Sequence, residues 1–248
     1  MSSSLRAIAA VLVVAATLAA SASAAFPGGN GLIVRLNGTG RDAYALVVSR
    51  PNGAGERTVV PPGRNAKPQW SPDGTQIAFE HEGKVAVVAA NGSALTELGE
   101  GTAPAWSEDG SELAFNRFDG IGVMNADGTS YRDLLPDEGA GDLSKWDPSW
   151  SPDGRRLAYT RGSGEWSGQI WVVRRDGTGA RAVTRSRGEI DSVPAWSPAG
   201  TWIAFQRYVA CSGGSCRNAV FVIRPNGTGI RRVALDAASP AWSPDGAR

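Results

Sequence analysis

Five residues, Trp-Ser-Pro-Asp-Gly, constrain this chain more than anything else in it. They stand at Trp70-Ser71-Pro72-Asp73-Gly74, Trp150-Ser151-Pro152-Asp153-Gly154 and Trp242-Ser243-Pro244-Asp245-Gly246. With one substitution each they return as Trp106-Ser107-Glu108-Asp109-Gly110 and Trp196-Ser197-Pro198-Ala199-Gly200. The tryptophans are 36 to 46 residues apart. A period of roughly 40–45 residues marks a four-stranded propeller blade.

The phrase is a turn with a physical rationale. Proline presets φ near the value a tight turn needs, aspartate hydrogen-bonds nearby backbone, and glycine accepts a positive φ at the exit. The tryptophan ends the strand before the turn and is large enough to bury about 150–250 Å² between neighbouring sheets. Alternating runs follow, such as Gln76-Ile77-Ala78-Phe79, Glu112-Leu113-Ala114-Phe115, Leu157-Ala158-Tyr159 and Trp202-Ile203-Ala204-Phe205. Period-two alternation predicts strands. Each unit then carries a second β-rich run that ends in Asn91-Gly92, Asp127-Gly128, Asp176-Gly177 or Asn226-Gly227, the pairs that favour hairpin turns.

The unit therefore reads strand, Ser-Pro-Asp-Gly turn, strand, variable loop, strand, Asn/Asp-Gly turn, short strand. On these motifs the chain resembles the TolB-like (WD40-like) β-propeller repeat family, over nearly its whole length after the leader. That repeat also occurs in the propellers of prolyl-oligopeptidase-type peptidases. The expected fold is all-β: a propeller of four-stranded blades, five complete plus the start of a sixth. The units fall at roughly 26–63, 64–100, 101–137, 138–186 and 187–236, with a partial unit over 237–248. Phe26-Pro27-Gly28-Gly29-Asn30-Gly31 reads as a degenerate first copy, with Phe in place of Trp. TolB-like propellers are typically six-bladed, so the resemblance implies a truncated six-bladed propeller. The alternative is an open five-bladed arc with residual strands tucked onto blade one.

Residues 1–25 read as a signal peptide. Arg6 is the positive start, residues 7–20 are apolar, and Ala22-Ser23-Ala24 is a small-residue cleavage site. A cut after Ala24 or Ala25 is expected, and a retained anchor helix is the alternative. The apolar run is short for a membrane span, which needs about 20 residues. The reading is export, to the periplasm or beyond. Lys and Arg total 25 against 24 Asp and Glu, a formal net charge of +1. Such a balance gives no electrostatic reason to expect a nucleic acid or an anionic membrane as partner.

Cys211 and Cys216 flank a four-residue stretch and read as a disulfide in an exported chain; a metal site would need more ligands. His81, the single histidine, is expected in an exposed hairpin loop. Asp73, Asp109, Asp153 and Asp245 are expected to serve their turns rather than a ring of calcium ligands. With one histidine and no Gly-x-Ser-x-Gly elbow, hydrolase chemistry in this segment is not expected. No catalytic residue, cofactor or metal is assigned.

Strands alternate in direction, so the two short turns of each unit should share one face. The variable loops, 161–168, 208–218, 136–147 and 186–192, should share the other. Function tends to sit on variable loops held by a rigid scaffold. The candidate partner-binding residues are Trp146, Trp166, Tyr208, Arg161, Glu165, Arg187 and Glu189. Trp146 and Trp166 stand in polar stretches outside the repeat phrase, either as anchors for a partner or folded back onto their blade. The resemblance implies a non-enzymatic scaffold for a protein or peptide partner in the cell envelope. Unlike TolB, the sequence runs from its leader into blade one without an intervening α/β domain. The rival reading is the propeller of a prolyl-oligopeptidase-like serine peptidase whose catalytic domain follows. A glycan ligand is a third, weaker possibility.

Overall fold

The computed structural model describes residues 31–40, 43–118, 120–136, 144–163, 167–185, 189–212, 215–243 and 246. The expected leader, the Phe26 to Asn30 phrase, Glu165, Trp166, Arg187 and Asp245 lie outside the described residues, as do the side chains of Cys211 and Cys216.

Five antiparallel sheets follow one another around an axis as the blades of a β-propeller. Blade one has three strands among the described residues: β1 (Ile33–Gly40), β2 (Ala43–Ser49) and β3 (Arg57–Gly63). The other four have four each, in simple meander order. Blade two holds β4 (Asn65–Trp70), β5 (Gln76–His81), β6 (Lys84–Ala89) and β7 (Thr96–Glu100). Blade three holds β8 (Thr102–Trp106), β9 (Glu112–Arg117), β10 (Gly120–Asn125) and β11 (Arg132–Leu135). Blade four holds β12 (Ser144–Trp150), β13 (Arg156–Gly162), β14 (Gln169–Arg174) and β15 (Arg181–Ala182). Blade five holds β16 (Ile190–Trp196), β17 (Ile203–Ser212), β18 (Ser215–Ile223) and β19 (Arg231–Leu235). No helix occurs among the described residues.

The sheets of blades two to four are apolar on both faces because each packs between two neighbours, and the core is a series of seams between blades. At the seam between blades two and three, Ala78, Val85 and Val87 of one sheet meet Trp106, Leu113, Phe115 and Met124 of the next. Blades three and four meet through Ala114, Ile121 and Val123 against Trp150, Leu157 and Tyr159. Ala158, Ile170 and Val172 meet Trp196, Ile203 and Phe205 in the same way. An aromatic ring in the second strand is thus buried at every such seam: Phe79, Phe115, Tyr159, Phe205.

In each blade the residue paired with this ring lies five positions before the Asn or Asp of the second turn. Phe79 pairs with Ala86, and Phe205 with Phe221. The same count in blade one leads through Val47 to Arg35. Its guanidinium is partly exposed and paired with Glu56. Blade one thus turns a charged residue toward the side on which no sheet precedes it among the described residues.

The partial sixth unit has no strand among the described residues. It nevertheless docks on blade five as blade three docks on blade two, with an indole bond that Trp150 and Trp196 lack among the described residues. The Trp242 indole N–H donates to the Ala195 carbonyl at 3.0 Å, as Trp106 donates to Gln69 at 3.3 Å. The outer strand of blade five stays uncovered, with Ile230, Val233 and Leu235 exposed. Val183, its counterpart in blade four beneath the Gly227 turn of blade five, is buried.

Candidate functional site

The Ser-Pro-Asp-Gly turns are closed by their own side chains. In blade two the Ser71 hydroxyl donates to Asp73 Oδ1 at 2.6 Å and accepts from the Gln76 N–H at 2.9 Å. Asp73 Oδ1 also accepts from the Thr75 N–H at 3.0 Å. Ser107–Asp109 and Ser151–Asp153 repeat the arrangement. In blade five Ala199 replaces the acid, and Ser197 keeps its bond from the Trp202 N–H. For Asp109, burial alone would raise the carboxyl. Hydrogen bonds from Ser107 and Ser111 and the Arg175 charge outweigh burial and hold it at about 2, below its ordinary 3.8. Asp73 and Asp153 are lowered in the same way, against the opposing pull of burial. These acids are consumed by their turns.

Both turns of a unit lie on one face, here the turn face. The Ala90 N–H donates to Thr75 O, Ala126 to Ser111 and Arg175 to Arg155, at 2.8 to 2.9 Å. In blades two to four the hairpin turn also rests on the outer strand of the blade before it: Gly92 on Val59, Gly128 on Leu98, Gly177 on Leu134.

Along the inner strands a second recurrence emerges. A proline stands two residues before every repeat tryptophan, at Pro68, Pro104, Pro148, Pro194 and Pro240. The residue before it has a left-handed backbone each time: Lys67 (φ 51), Ala103 (47), Asp147 (52), Val193 (53) and Ser239 (50). A β-branched valine in this region is strained. Strand pairing shifts register at each described case within a strand, from Ala66/Gln69 to Ser192/Ala195, as a β-bulge does. The preceding blade steadies the bulge. Asn116 Oδ1 accepts from the Asp147 N–H at 2.9 Å and Gln206 Oε1 from the Ser239 N–H at 3.2 Å. The Glu80 carboxylate accepts from Ala103. Burial nevertheless raises Glu80, although Lys67 and the Ala103 bond pull the other way. Thr160 occupies the equivalent place in blade four; its buried hydroxyl has no hydrogen-bond partner among the described residues.

A cavity of about 410 Å³ lies on the axis toward the turn face. The five repeat tryptophans and four of these prolines line it. None of the four described candidate partner-binding residues, Trp146, Arg161, Glu189 and Tyr208, does.

The opposite, loop face holds the four described candidates, in partly different settings from those expected. Trp146 lies in inner strand β12 beside the bulge and is half-buried, where a loop was expected. Arg161 belongs to β13, and its guanidinium stacks on the Trp171 ring at 4.7 Å. Tyr208 belongs to β17, pairs with Ile190, and is 37% exposed. The Gly168–Ile190 bridge sets the blade-four loop against β16, so Glu189 and Tyr208 adjoin that loop. Trp166, Glu165 and Arg187 lie outside the described residues. His81, expected exposed in a hairpin loop, ends β5. Its side chain is 20% exposed and its Nδ1 is 2.7 Å from Oδ1 of buried Asn65. The longest hairpin, β17–β18, carries Cys211 and Cys216 next to the Ser212–Ser215 pair. Its base is fixed by Arg207, which holds buried Asp191 with two bonds at 2.6 and 2.8 Å and lies over Phe205 and Phe221.

Sequence reading missed two features of this face. Phe118, at the β9–β10 tip, is 97% exposed. Lys67 Nζ lies 3.5 Å from Asp147 Oδ1, joining blades two and four past blade three. The recurrent proline was the available signal for the bulges that carry this pair.

No protein-family model and no curated protein sequence matches the chain. Solved structures do. A TolB of Agrobacterium tumefaciens aligns with a TM-score of 0.65 and 21% identity, over 83% of both chains. TolB from Acinetobacter baumannii aligns with a TM-score of 0.68 and 20% identity, over 87% of this chain and 56% of that one. Enzymes match as well. An oligogalacturonate lyase of Vibrio parahaemolyticus aligns at 0.64 and 12% identity, over 91% of this chain and 68% of that one. A prolyl endopeptidase aligns at 0.54 and 12%, over 87% and 42%. At these identities the likeness establishes the fold, that of a TolB-like propeller.

Proposed function

We propose that this propeller is an exported, non-enzymatic scaffold that binds a protein or peptide partner in the cell envelope through its loop face. One observation carries the reading. The turn face repeats the same bonds from unit to unit, spends its side chains on its own turns and rests its hairpin glycines on the blade before. The loop face is where the units differ, and there Phe118 and Tyr208 stand exposed. Aromatic side chains on a rigid frame are the usual anchors of protein interfaces. Likeness to TolB supports a binding role over a catalytic one, and export rests on the sequence of residues 1–25.

Cys211 and Cys216 belong to this reading as a bridge that pins the β17–β18 hairpin. Alkylation of the unreduced exported protein should label neither; free labelling of both removes the bridge. For the binding site, the test is capture from envelope extract with two double variants. Trp166→Ala with Tyr208→Ala should lose a partner that Asn91→Ala with Asp127→Ala retains. The reverse pattern moves the site to the turn face. Trp146→Ala is a poorer probe, because Trp146 is half-buried in the inner strand.

The rival reading is a peptidase propeller, favoured by the match to a prolyl endopeptidase of which this chain spans 42%. A downstream α/β-hydrolase segment with a Gly-x-Ser-x-Gly elbow in the gene would support it. A glycan ligand, the third reading, would register on a glycan array.

A further inference from the structure

We propose that Lys67 and Asp147 form a latch across the axial channel, which separates the tryptophan-lined cavity from the loop face and leaves that cavity open on the turn face. The left-handed residues of the inner strands form one layer around the axis: Lys67, Ala103, Asp147, Val193 and Ser239. Four of the prolines that follow them wall the cavity, as does Val193 of the layer itself, whereas neither Lys67 nor Asp147 lines it. The layer thus borders the cavity at its loop-face end, and the charged pair stands there. Its two members come from blades two and four, and blade three offers only the methyl group of Ala103 at the same level. The lysine side chain thus reaches past a whole blade to make a 3.5 Å contact.

The two halves of the latch differ in freedom. Asp147 is fixed, because its N–H is bonded to Asn116 and its side chain is 16% exposed. Lys67 is 52% exposed on a flexible stem. A second carboxylate is available to it: Glu80, which lies opposite Ala66 in the sheet of Lys67's own blade. With the ammonium on Asp147 the channel is barred; with the ammonium on Glu80 it lies along the wall of blade two and the bar is withdrawn. An exposed ion pair of this kind is weak, which suits a bar that must move.

The test is acrylamide quenching of tryptophan fluorescence, since the repeat tryptophans line the cavity. Lys67→Met and Asp147→Asn should each raise the Stern–Volmer constant, because the quencher gains a second mouth. The double variant should rise no further than either single one, and Lys67→Arg should keep the wild-type value. Lys84→Met, which removes the rim contact with Glu97, serves as the control and should leave the constant unchanged. Unchanged quenching in Lys67→Met and Asp147→Asn, additive rises in the double variant, or an equal rise in Lys84→Met would each overturn the latch.

Discussion

On the turn face, three units place a serine hydroxyl, an aspartate oxygen and two backbone N–H groups in the same arrangement, and the fourth retains the serine and the N–H bonded to it. On the loop face blades two and three share a tight hairpin, in which His81 pairs with Lys84 and Arg117 with Gly120, and blades four and five depart from it. In blade five the hairpin extends to the Ser212–Ser215 pair. The same sheets supply both ends. The difference is one of exposure: the turns rest on the blade before them, whereas Phe118 at the β9–β10 tip and Tyr208 in the β17–β18 hairpin stay exposed. A face whose side chains close its turns and whose glycines pack on the neighbouring sheet cannot change without loss of stability, whereas exposed side chains such as Phe118 and Tyr208 are free to vary with a partner.

That contrast can be broken most severely at Gly177. Its φ is 84 and a Cβ there would stand 2.8 Å from the Leu134 carbonyl. Gly177→Ala should therefore cost about 1–3 kcal/mol or more in urea unfolding. Ser151→Ala comes next, since it strips the Arg156 N–H and Asp153 of their bonds. Its expected cost is about 1–3 kcal/mol. On the loop face Phe118→Ala should change stability by no more than about 0.5 kcal/mol, while it weakens partner capture. A stability loss at Phe118 as large as that at Ser151 would erase the distinction between the faces.

Two smaller effects sharpen it. Thr160 is the bulge-capping position at which the side chain is too short to do what Asn116 and Gln206 do. Thr160→Asn should restore the cap and stabilise by about 0.5–1.5 kcal/mol, read as a higher melting temperature. Acid should act through the turn face. Asp73, Asp109 and Asp153 are held below their ordinary value in the folded chain, so their stabilisation is complete above the unfolded value. For Asp109 it is lost as pH falls from 3.8 toward about 2. Asp109→Asn should flatten the melting temperature in that window; an unchanged profile would mean the turn acids carry no net stabilisation.

Much of the fold was legible because its signal is local. Trp-Ser-Pro-Asp-Gly and Asn/Asp-Gly specify turns by their own chemistry, and the runs between them alternate with period two. The inner strands were harder to read. A bulge at Lys67, Asp147 or Val193 breaks the period, so Lys145-Trp146-Asp147 looks like a polar loop although it lies in β12. The β17 strand was read short for another reason. Arg207 and Tyr208 are polar, and the buried Asp191 that holds Arg207 lies in a different strand. Of the candidate site, the division into two faces followed from strand direction alone. The Lys67–Asp147 contact could not follow, because it joins residues 80 positions apart through the geometry of the ring.

The division of labour between the faces is tested most directly by hydroxyl-radical footprinting of the protein alone and in complex with its captured partner. Protection should fall on Phe118, Trp166 and Tyr208, with Pro72, Pro152 and Pro198 of the turns unchanged. Protection confined to those prolines and the cavity tryptophans, with the three aromatics still oxidised, would contradict the account.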